Sequence, residues 1–330
     1  MSESNWVAID TNSSAPPASG ATPRLNHAAG ASRTPLVPLR RQDRVALGVF
    51  DAAAHAMQRH GRTVIVGSAA FLVPLVALNL FGTIVAFDRY SSFDDLSKSP
   101  AAVLFGIDAA SGVETLVAYL SIVTTSLIAA IVGGFTSFIV LDDHFGRDPA
   151  ARSPMRRTVR ALPRLVGGWL IGHCWMLLVA LIAVNVSSST LGGLMVPGSV
   201  VLVFVVAFTV VVSPTIVAEQ LGPFAGLRRA VRLARSRFSS SFGLVILTVV
   251  IGGGLQAGIS ALPRLAASTG LIGYGSYGWL VEGIAAQIAV LIVVPLVAMT
   301  SVHLYLQLRV HSEGLDLVMA ADRAFGPVPR

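Results

Sequence analysis

The chain has 330 residues, of which 54% are hydrophobic and 12% charged, and its mean hydropathy is +0.72. In a water-soluble globular protein about a quarter of all residues are charged. This chain has too few charged residues to cover its apolar surface in water, so that surface is expected to be covered by lipid. The formal net charge is +7, but aromatic residues are few and not interleaved with basic ones, which argues against stacking on nucleic-acid bases.

The first 38 residues differ in composition from the rest of the chain. They are rich in Ser, Ala, Pro, Thr and Asn and contain no apolar segment near the start. Such a stretch cannot bury enough surface to offset the entropy of ordering, so residues 1–38 are predicted to be a disordered cytoplasmic tail. No cleavable signal peptide is recognised. A six-span domain is expected over 39–320, followed by a flexible C-terminal tail over 321–330.

Six later stretches are long and apolar enough to cross a membrane. A spanning helix needs about 20 apolar residues, because roughly 30 Å of hydrocarbon is crossed at about 1.5 Å per residue. The predicted spans, none with an internal charge, are residues 63–87, 115–141, 165–186, 197–218, 242–262 and 283–307. The predicted fold class is therefore all-α, a polytopic membrane helix bundle of about six transmembrane helices.

The basic residues predict how these spans are oriented. The segment before the first span, the second and fourth loops, and the segment after the last span hold 21 of the 24 basic residues. The other three loops share Arg89, Lys98 and Arg264. Because positive charge favours the cytoplasmic side, we expect a multi-pass protein of the cytoplasmic membrane with both termini in the cytoplasm. The charge then acts as an insertion signal, and no nucleic-acid partner is expected.

A basic amphipathic helix is predicted before each helical hairpin. The clearest is GPFAGLRRAVRLARSRF, residues 222–238, where Leu233 breaks the pattern. Its apolar face is formed by Phe224, Leu227, Val231, Ala234 and Phe238, and its arginines lie to one side at Arg228, Arg229, Arg232 and Arg235. Such a helix suits the lipid headgroup layer. Residues 153–165 and 43–62 repeat the theme more weakly, which predicts three units of interfacial helix plus hairpin; ordinary basic loops are the alternative.

Two motifs stand in the second half of the chain. In SPTIVAEQLGPFAGLRRAVRLARSRF, residues 213–238, a proline in a span is followed by a glutamate, a Gly-Pro pair and an Ala-x-Leu-x-Arg helix, formed by Pro214, Glu219, Gly222, Pro223, Ala225, Leu227 and Arg229. In LYLQLRVHSEGLDL, residues 304–317, the motif is formed by Leu308, Arg309, Glu313, Gly314, Leu315 and Asp316. Both resemble the membrane domain of glycerophosphoryl diester phosphodiesterases, which also occurs as stand-alone bacterial membrane proteins.

The resemblance implies a membrane fold rather than an activity. It covers about residues 38–320, with Gln307 where an aspartate is expected and Ala230 where a serine is common. The phosphodiesterase itself would need a separate soluble barrel with a His-Arg pair and metal-binding carboxylates, for which six spans and short loops leave no room. The chain is therefore expected not to be an enzyme, and no catalytic, cofactor-binding or metal-binding residue is predicted.

Polar residues inside predicted spans are candidate sites because their burial in lipid is costly. His173, next to the single cysteine Cys174, is expected to be neutral and hydrogen-bonded to a neighbouring helix. Gln256 and Gln287 are expected to join helices in the same way. Glu282 is expected to be a cap at the outer start of the sixth span. A cluster at the end of the second span is expected to be a solvated boundary rather than a metal site: Asp142, Asp143, His144 and Asp148.

Small residues and prolines predict how the helices pack. The glycine runs 133–134, 167–168 and 252–254, the last extended by Gly258 into one GxxxG match, would let helices approach closely. Pro74, Pro214 and Pro295 lie inside predicted spans, where proline favours a kink.

The leading functional hypothesis is a non-enzymatic membrane protein that organises or assembles envelope components. Its partners would be anionic membrane lipids, read by the interfacial helices, and other membrane proteins. The alternative is a transporter or channel for a small solute or lipid, with a polar pathway lined by His173, Gln256 or Gln287. A membrane-embedded enzyme lacks any convergent set of acid, base or metal ligands.

Reporter fusions test the predicted topology. A reporter that is active only outside the cytoplasm is expected to be active when fused after Ala101 and inactive when fused after Ser153, because the intervening span would cross the membrane once. A reporter active only in the cytoplasm should give the opposite pattern. Outward activity at position 153 would overturn the topology.

Overall fold

The computed structural model describes residues 45–87, 112–144, 152–185, 200–271 and 278–317. Every regular element in these ranges is a helix, which confirms the predicted all-α class. The helices are α1 (Val45–Phe87), α2 (Gly112–His144), α3 (Arg152–Asn185), α4 (Val212–Glu219), α5 (Pro223–Ser236), α6 (Phe238–Ser268) and α7 (Gly278–Glu313). A further helical segment, residues 200–209, leads into α4.

Four helical stretches of the described chain are long and apolar enough to cross a membrane. They are Val123–His144, Val200–Glu219, Phe238–Ser268 and Gly283–Glu313. These stretches contain most of the predicted second, fourth, fifth and sixth spans. The predicted first span falls within α1, and the third, except for its last residue, falls within α3. The four stretches are compatible with an integral membrane protein, and the count of six stays a prediction.

The helices before the three hairpins differ from one another. α1 continues for 43 residues and α3 for 34, with Pro163 inside α3, so in the first two units one helix replaces the predicted interfacial helix and span. In the third unit α5 is a separate helix, because the extended φ of −143° at Arg237 interrupts the helical backbone before α6. The break between residues 209 and 212 lies four residues before Pro214, whose ring excludes a regular helix there.

In the two hairpins α1–α2 and α2–α3, the paired helices remain side by side up to the end of α2. Along α2 and α3, Gly134 lies against Leu165 and Asp142 contacts Arg157. Along α1 and α2, Gly67 lies against Phe135, and Arg59 approaches Asp143. In both pairs one residue number rises as the other falls by the same amount. The helices therefore remain antiparallel neighbours, and neither α1 nor α3 turns away from the bundle.

The hydrophobic core is concentrated at one end of the bundle. Residues 132–140 of α2 and 298–308 of α7 are buried without interruption, and the buried stretches include polar side chains: Thr136, Ser137, Thr300, Ser301, His303 and Gln307. At this end α2 finishes at His144, α4 at Glu219 and α7 at Glu313, and α3 begins at Arg152. We call it the arginine end, because the described parts of the segments predicted to be rich in arginine meet there.

Glycines create several of the close helix contacts, as predicted for 133–134 and 167–168. A side chain at these positions would collide with a neighbouring helix. A Cβ would lie 3.2 Å from Ser213 Cβ at Gly133, 2.5 Å from Leu165 Cδ1 at Gly134, 2.8 Å from Pro223 Cγ at Gly167 and 2.5 Å from Ile216 Cδ1 at Gly168. These contacts bring α2, α3, α4 and the start of α5 together.

The GxxxG match on α6 does not serve this purpose within the chain. Gly252 packs against α7, where an added Cβ would lie 3.3 Å from Val293 Cγ1. Gly254 and Gly258 have no atom within 4 Å of such a position. The expectation of close packing is therefore wrong for this pair within the described chain, because both glycines face away from α7.

The substitution Gly67→Ala tests the packing at the core. Its Cβ would overlap the fully buried ring of Phe135, so the free energy of unfolding should fall by about 1–3 kcal/mol. Gly254→Ala is the matched control, and at this open position helix propensity should leave stability unchanged or raise it by up to about 1 kcal/mol. Denaturation in detergent micelles measures both. Equal effects of the two changes would contradict the packing described here.

Candidate functional site

Charged side chains from three helices meet at the arginine end. Glu219 is the last residue of α4, and Glu313 is the last residue of α7. The members, which we call the charge cluster, are Glu219, Arg229, Tyr305, Arg309 and Glu313. Both sequence motifs thus contribute to one site, although 84 residues separate Arg229 from Glu313.

Carboxylates and guanidinium groups alternate in the charge cluster. Arg229 Nε donates to Glu219 Oε2 at 3.0 Å and to Oε1 at 3.2 Å, and its Nη2 donates to Glu313. Arg309 Nε donates to Glu313 Oε2 at 2.9 Å and lies 3.9 Å from Glu219 Oε1. Two negative and two positive groups therefore neutralise one another where water has limited access.

Tyr305 links the ion pairs to the hydrophobic core. Its ring is buried, with 1% of its surface exposed. Its hydroxyl group donates to Glu219 Oε1 at 3.1 Å and accepts from Arg309 Nη1 at 3.2 Å. Because both hydrogen-bonding roles are filled, burial of this hydroxyl group carries no unpaired polar atom.

The backbone around the motif residues positions these side chains. α4 ends because Gln220 has a left-handed φ of 53°, with its N–H bonded to the Ile216 carbonyl. Gly222 is then the N-cap of α5, with Pro223 in the first turn, where the missing N–H costs nothing. Gly314, with a φ of 63°, follows Glu313 directly and ends α7.

The environment of Arg229 keeps it charged. Burial lowers the pKa of Arg229, but its hydrogen bonds with Glu219 and Glu313, and their negative charge, raise it more. The pKa therefore lies above the usual value for arginine. The guanidinium group consequently bridges α4 and α7 as a permanent cation, with only 22% of its side chain exposed.

α5 turns a different face to the protein from the one predicted. The buried residues are Gly226, Ala230, Leu233 and Ala234. Leu233, which seemed to break the pattern, is 2% exposed, whereas Phe224 is 73% exposed and Leu227 and Val231 are half-buried. The predicted face was wrong because the small Gly226 and Ala230 let α5 approach α4, where Gly226 lies against Ile216.

The opposite face of α5 carries the remaining arginines. Arg228, Arg232 and Arg235 are exposed and form no ion pair within the described residues. With Phe224 they follow a spacing that places them on one outward stripe of the helix. We call this the α5 arginine row.

A second set of charges lies where α2 ends. Asp142, whose side chain is 6% exposed, pairs with Arg157, and that guanidinium lies 4.6 Å from the centre of the Phe138 ring. Asp143 lies 3.2 Å from His60 and 3.7 Å from Arg59. The predicted solvated boundary is therefore wrong for Asp142. Over the described ranges, no three His, Cys, Asp or Glu side chains are arranged to hold a metal ion.

His144 and His303 connect the second set of charges to α7. Their rings lie 6.1 Å apart, edge to face. His303 is buried between the two charged regions of the arginine end, two residues before Tyr305. α7 thus contributes to both regions, from different faces of the helix.

The intramembrane polar candidates are not brought together. His173 Nδ1 lies 3.1 Å from the Trp169 carbonyl of its own helix, and its ring stacks on Trp169. The predicted bond to a neighbouring helix is therefore wrong. Gln256 is exposed on α6 and Gln287 is half-buried on α7. α3 packs on α2, α4 and α5, whereas α6 packs mainly on α7 and α1, so His173 and Gln256 share no interface. The side chain of Glu282 lies outside the described residues.

The remaining motif residues have structural positions. Pro214 is buried within α4, and Asp316 is half-buried after α7. Tyr305 and the Asp142–Arg157 pair were missed from the sequence. A spacing signal for Tyr305 does exist, since Tyr305, Arg309 and Glu313 are four residues apart and share one helix face.

Neither family models, curated proteins nor solved structures match this chain. The resemblance to the phosphodiesterase membrane domain therefore stays an expectation from its two motifs. Those motifs are the segments that form the charge cluster.

A double-mutant cycle on Glu219→Gln and Arg229→Gln tests the charge cluster. Each single change leaves a mostly buried charge without its partner and should lower the free energy of unfolding by about 1–3 kcal/mol. The double variant should be more stable than the sum of the single losses by about 1 kcal/mol. Denaturation in micelles measures the cycle. The control Arg228→Gln should stay within about 0.5 kcal/mol of the parent, and additive single effects would refute a direct interaction.

Proposed function

We propose that the chain is a six-span, non-enzymatic protein of the cytoplasmic membrane that organises envelope components by binding anionic lipid at its arginine end. Both termini would lie in the cytoplasm, and the chain would be a stand-alone relative of the phosphodiesterase membrane domain. The observation that carries this proposal is the α5 arginine row. It is held outward while the same helix is fixed to α4 and α7 by the charge cluster.

The contacts of α5 support a helix that lies across the end of the bundle. It begins against Gly167 of α3, passes Ile216 of α4 at Gly226, and reaches Glu313 of α7 at Arg229. Its inner face is occupied by protein, so its outward stripe is the side available to lipid. An exposed aromatic residue followed by three arginines suits the boundary between acyl chains and phosphate groups.

The exposed residues of α1 and α3 also indicate where the membrane surface would lie along the helices, and this position agrees with that of α5. On α3 the exposed residues up to Arg164 are mainly arginine, with Val159 among them, and from Val166 they are apolar. On α1 the exposed residues are polar from Asp51 to Arg62 and apolar from Val66. Arg164 donates to the Gln220 carbonyl at 3.3 Å, which places the start of α5 beside this transition. The α5 arginine row would thus lie where lipid phosphates are found.

Four segments predicted to be cytoplasmic meet at this end, which supports their lying on one side of the membrane. The N-terminal segment contacts the second loop through Arg59 and Asp143. The second loop reaches the fourth through Arg164 and Gln220, and the fourth reaches the C-terminal segment through Arg229 and Glu313. Segments on opposite sides of a bilayer cannot form such contacts.

Native mass spectrometry tests the lipid proposal. The triple variant Arg228→Gln, Arg232→Gln, Arg235→Gln should retain anionic phospholipid at least about tenfold less than the parent, since each exposed contact contributes up to about 1 kcal/mol. Zwitterionic phospholipid is the reference ligand, and its retention should not change.

A second triple variant removes the same charge elsewhere. Arg152→Gln, Arg156→Gln, Arg160→Gln on α3 should leave lipid retention close to that of the parent. Equal retention by the parent and the α5 variant would refute lipid binding by α5. Equal losses in both triple variants would show that net charge, rather than the position of α5, controls retention.

A further inference from the structure

A second row of arginines lies on α3, further from the membrane than the α5 arginine row. Arg152, Arg156 and Arg160 are exposed, follow a four-residue spacing on one helix face, and form no ion pair within the described residues. We call this the α3 arginine row. Arg157 lies between this row and the buried face of α3 and pairs with Asp142, so it joins α3 to α2, whereas the arginines of the row are exposed.

The position of the α3 arginine row follows from the straight course of α3. The helix runs without a break from Arg152 into the apolar region that begins at Val166. It stays packed along α2, with Leu165 at Gly134 and Arg157 at Asp142. At about 1.5 Å per residue, Arg160, Arg156 and Arg152 lie about 6, 12 and 18 Å from Arg164 along the axis. The headgroup layer extends only about 5–8 Å beyond the hydrocarbon, so Arg160 lies within this layer and Arg156 and Arg152 lie beyond it.

The row also contains an exposed apolar residue. Val159 is 50% exposed and lies on the same face, one turn from Arg156. A partner that matches this surface needs acidic groups at helical spacing around an apolar one. A lipid headgroup offers phosphate, but it offers no apolar group at this height above the hydrocarbon.

None of the segments 1–44, 145–151 and 318–330 carries a net negative charge. The segment 1–44 has three acidic residues against five arginines, 145–151 has one against one, and 318–330 has one against two. The most acidic predicted loop, 88–114, would face the other side of the membrane in the topology proposed above. Within the described residues no carboxylate pairs with the row, so its three arginines are open to an acidic group of another molecule.

From this we infer that the α3 arginine row is a docking surface for an acidic, amphipathic segment of a partner protein, with Arg152 and Arg156 beyond the headgroup layer. The inference rests on the membrane placement proposed above. It assigns a different partner from the α5 arginine row: α5 contacts lipid at the membrane surface, and α3 contacts protein further out.

Peptide binding to the full chain in nanodiscs of zwitterionic lipid tests this surface. The probe is a fluorescent peptide with Glu and Leu at helical spacing, and its counterpart carries Lys in place of Glu. Fluorescence anisotropy should show binding of the Glu peptide at least about tenfold tighter than that of the Lys peptide. The binding should weaken with salt, and nanodiscs without protein give the background.

Variants locate the binding. Arg152→Gln, Arg156→Gln, Arg160→Gln should weaken binding of the Glu peptide at least about tenfold, whereas the α5 triple variant should change it less than about twofold. Val159→Ser should weaken it several-fold without changing the charge, which separates a shaped surface from general attraction. Thermal denaturation of each variant checks that it remains folded.

Two outcomes would overturn the inference. Unchanged binding in the folded α3 variant would remove the docking surface, and loss of anionic lipid instead of peptide from that variant would make the row a lipid site. Both differ from failure of the lipid proposal, which would appear as full lipid retention by the α5 variant whatever the peptide does.

Discussion

The bridge that Arg229 makes between Glu219 and Glu313 determines how the arginine end is assembled. A single guanidinium group joins the end of α4 to the end of α7, and it brings α5 with it. The Glu219 side chain is only 19% exposed, so this carboxylate depends on a cation in the protein. Arg309 and Tyr305 complete the arrangement, and the remaining arginines of α5 have no acidic partner within the described residues. These arginines are therefore exposed, whereas Glu219 and Glu313 are paired with Arg229 and Arg309.

The inner and outer arginines of α3 and α5 have the same chemistry but different surroundings. Arg157 and Arg229 lie on the faces turned to the protein, and each meets a carboxylate there. Their neighbours along the sequence point outward because successive helical residues differ by about 100° in direction. A count of basic residues treats all of these arginines as one topological signal. The structure separates them into residues that join helices and residues that are exposed on the outward faces of α3 and α5.

The sequence predicted the helical class and the glycine contacts of α2 and α3, because hydropathy and small residue size can be read from a short stretch of sequence. It also singled out Glu219, Arg229, Arg309 and Glu313 through the two motifs, but not their mutual contacts, since ion pairs between distant segments leave no periodic pattern. The buried face of α5 was misjudged for a related reason. Gly226 and Ala230 add little hydrophobicity, yet their small size decides which side approaches α4.

Continuous burial of residues 298–308 has a consequence for biosynthesis. α7 is synthesised after α1 to α6, and it supplies a central part of the core at the arginine end. Until it emerges from the ribosome, α2 lacks one of its packing partners, and Glu219 lacks Tyr305 and Arg309. The arginine end is therefore completed only after α7 has been made, because its charges and its core both depend on residues that lie late in the sequence.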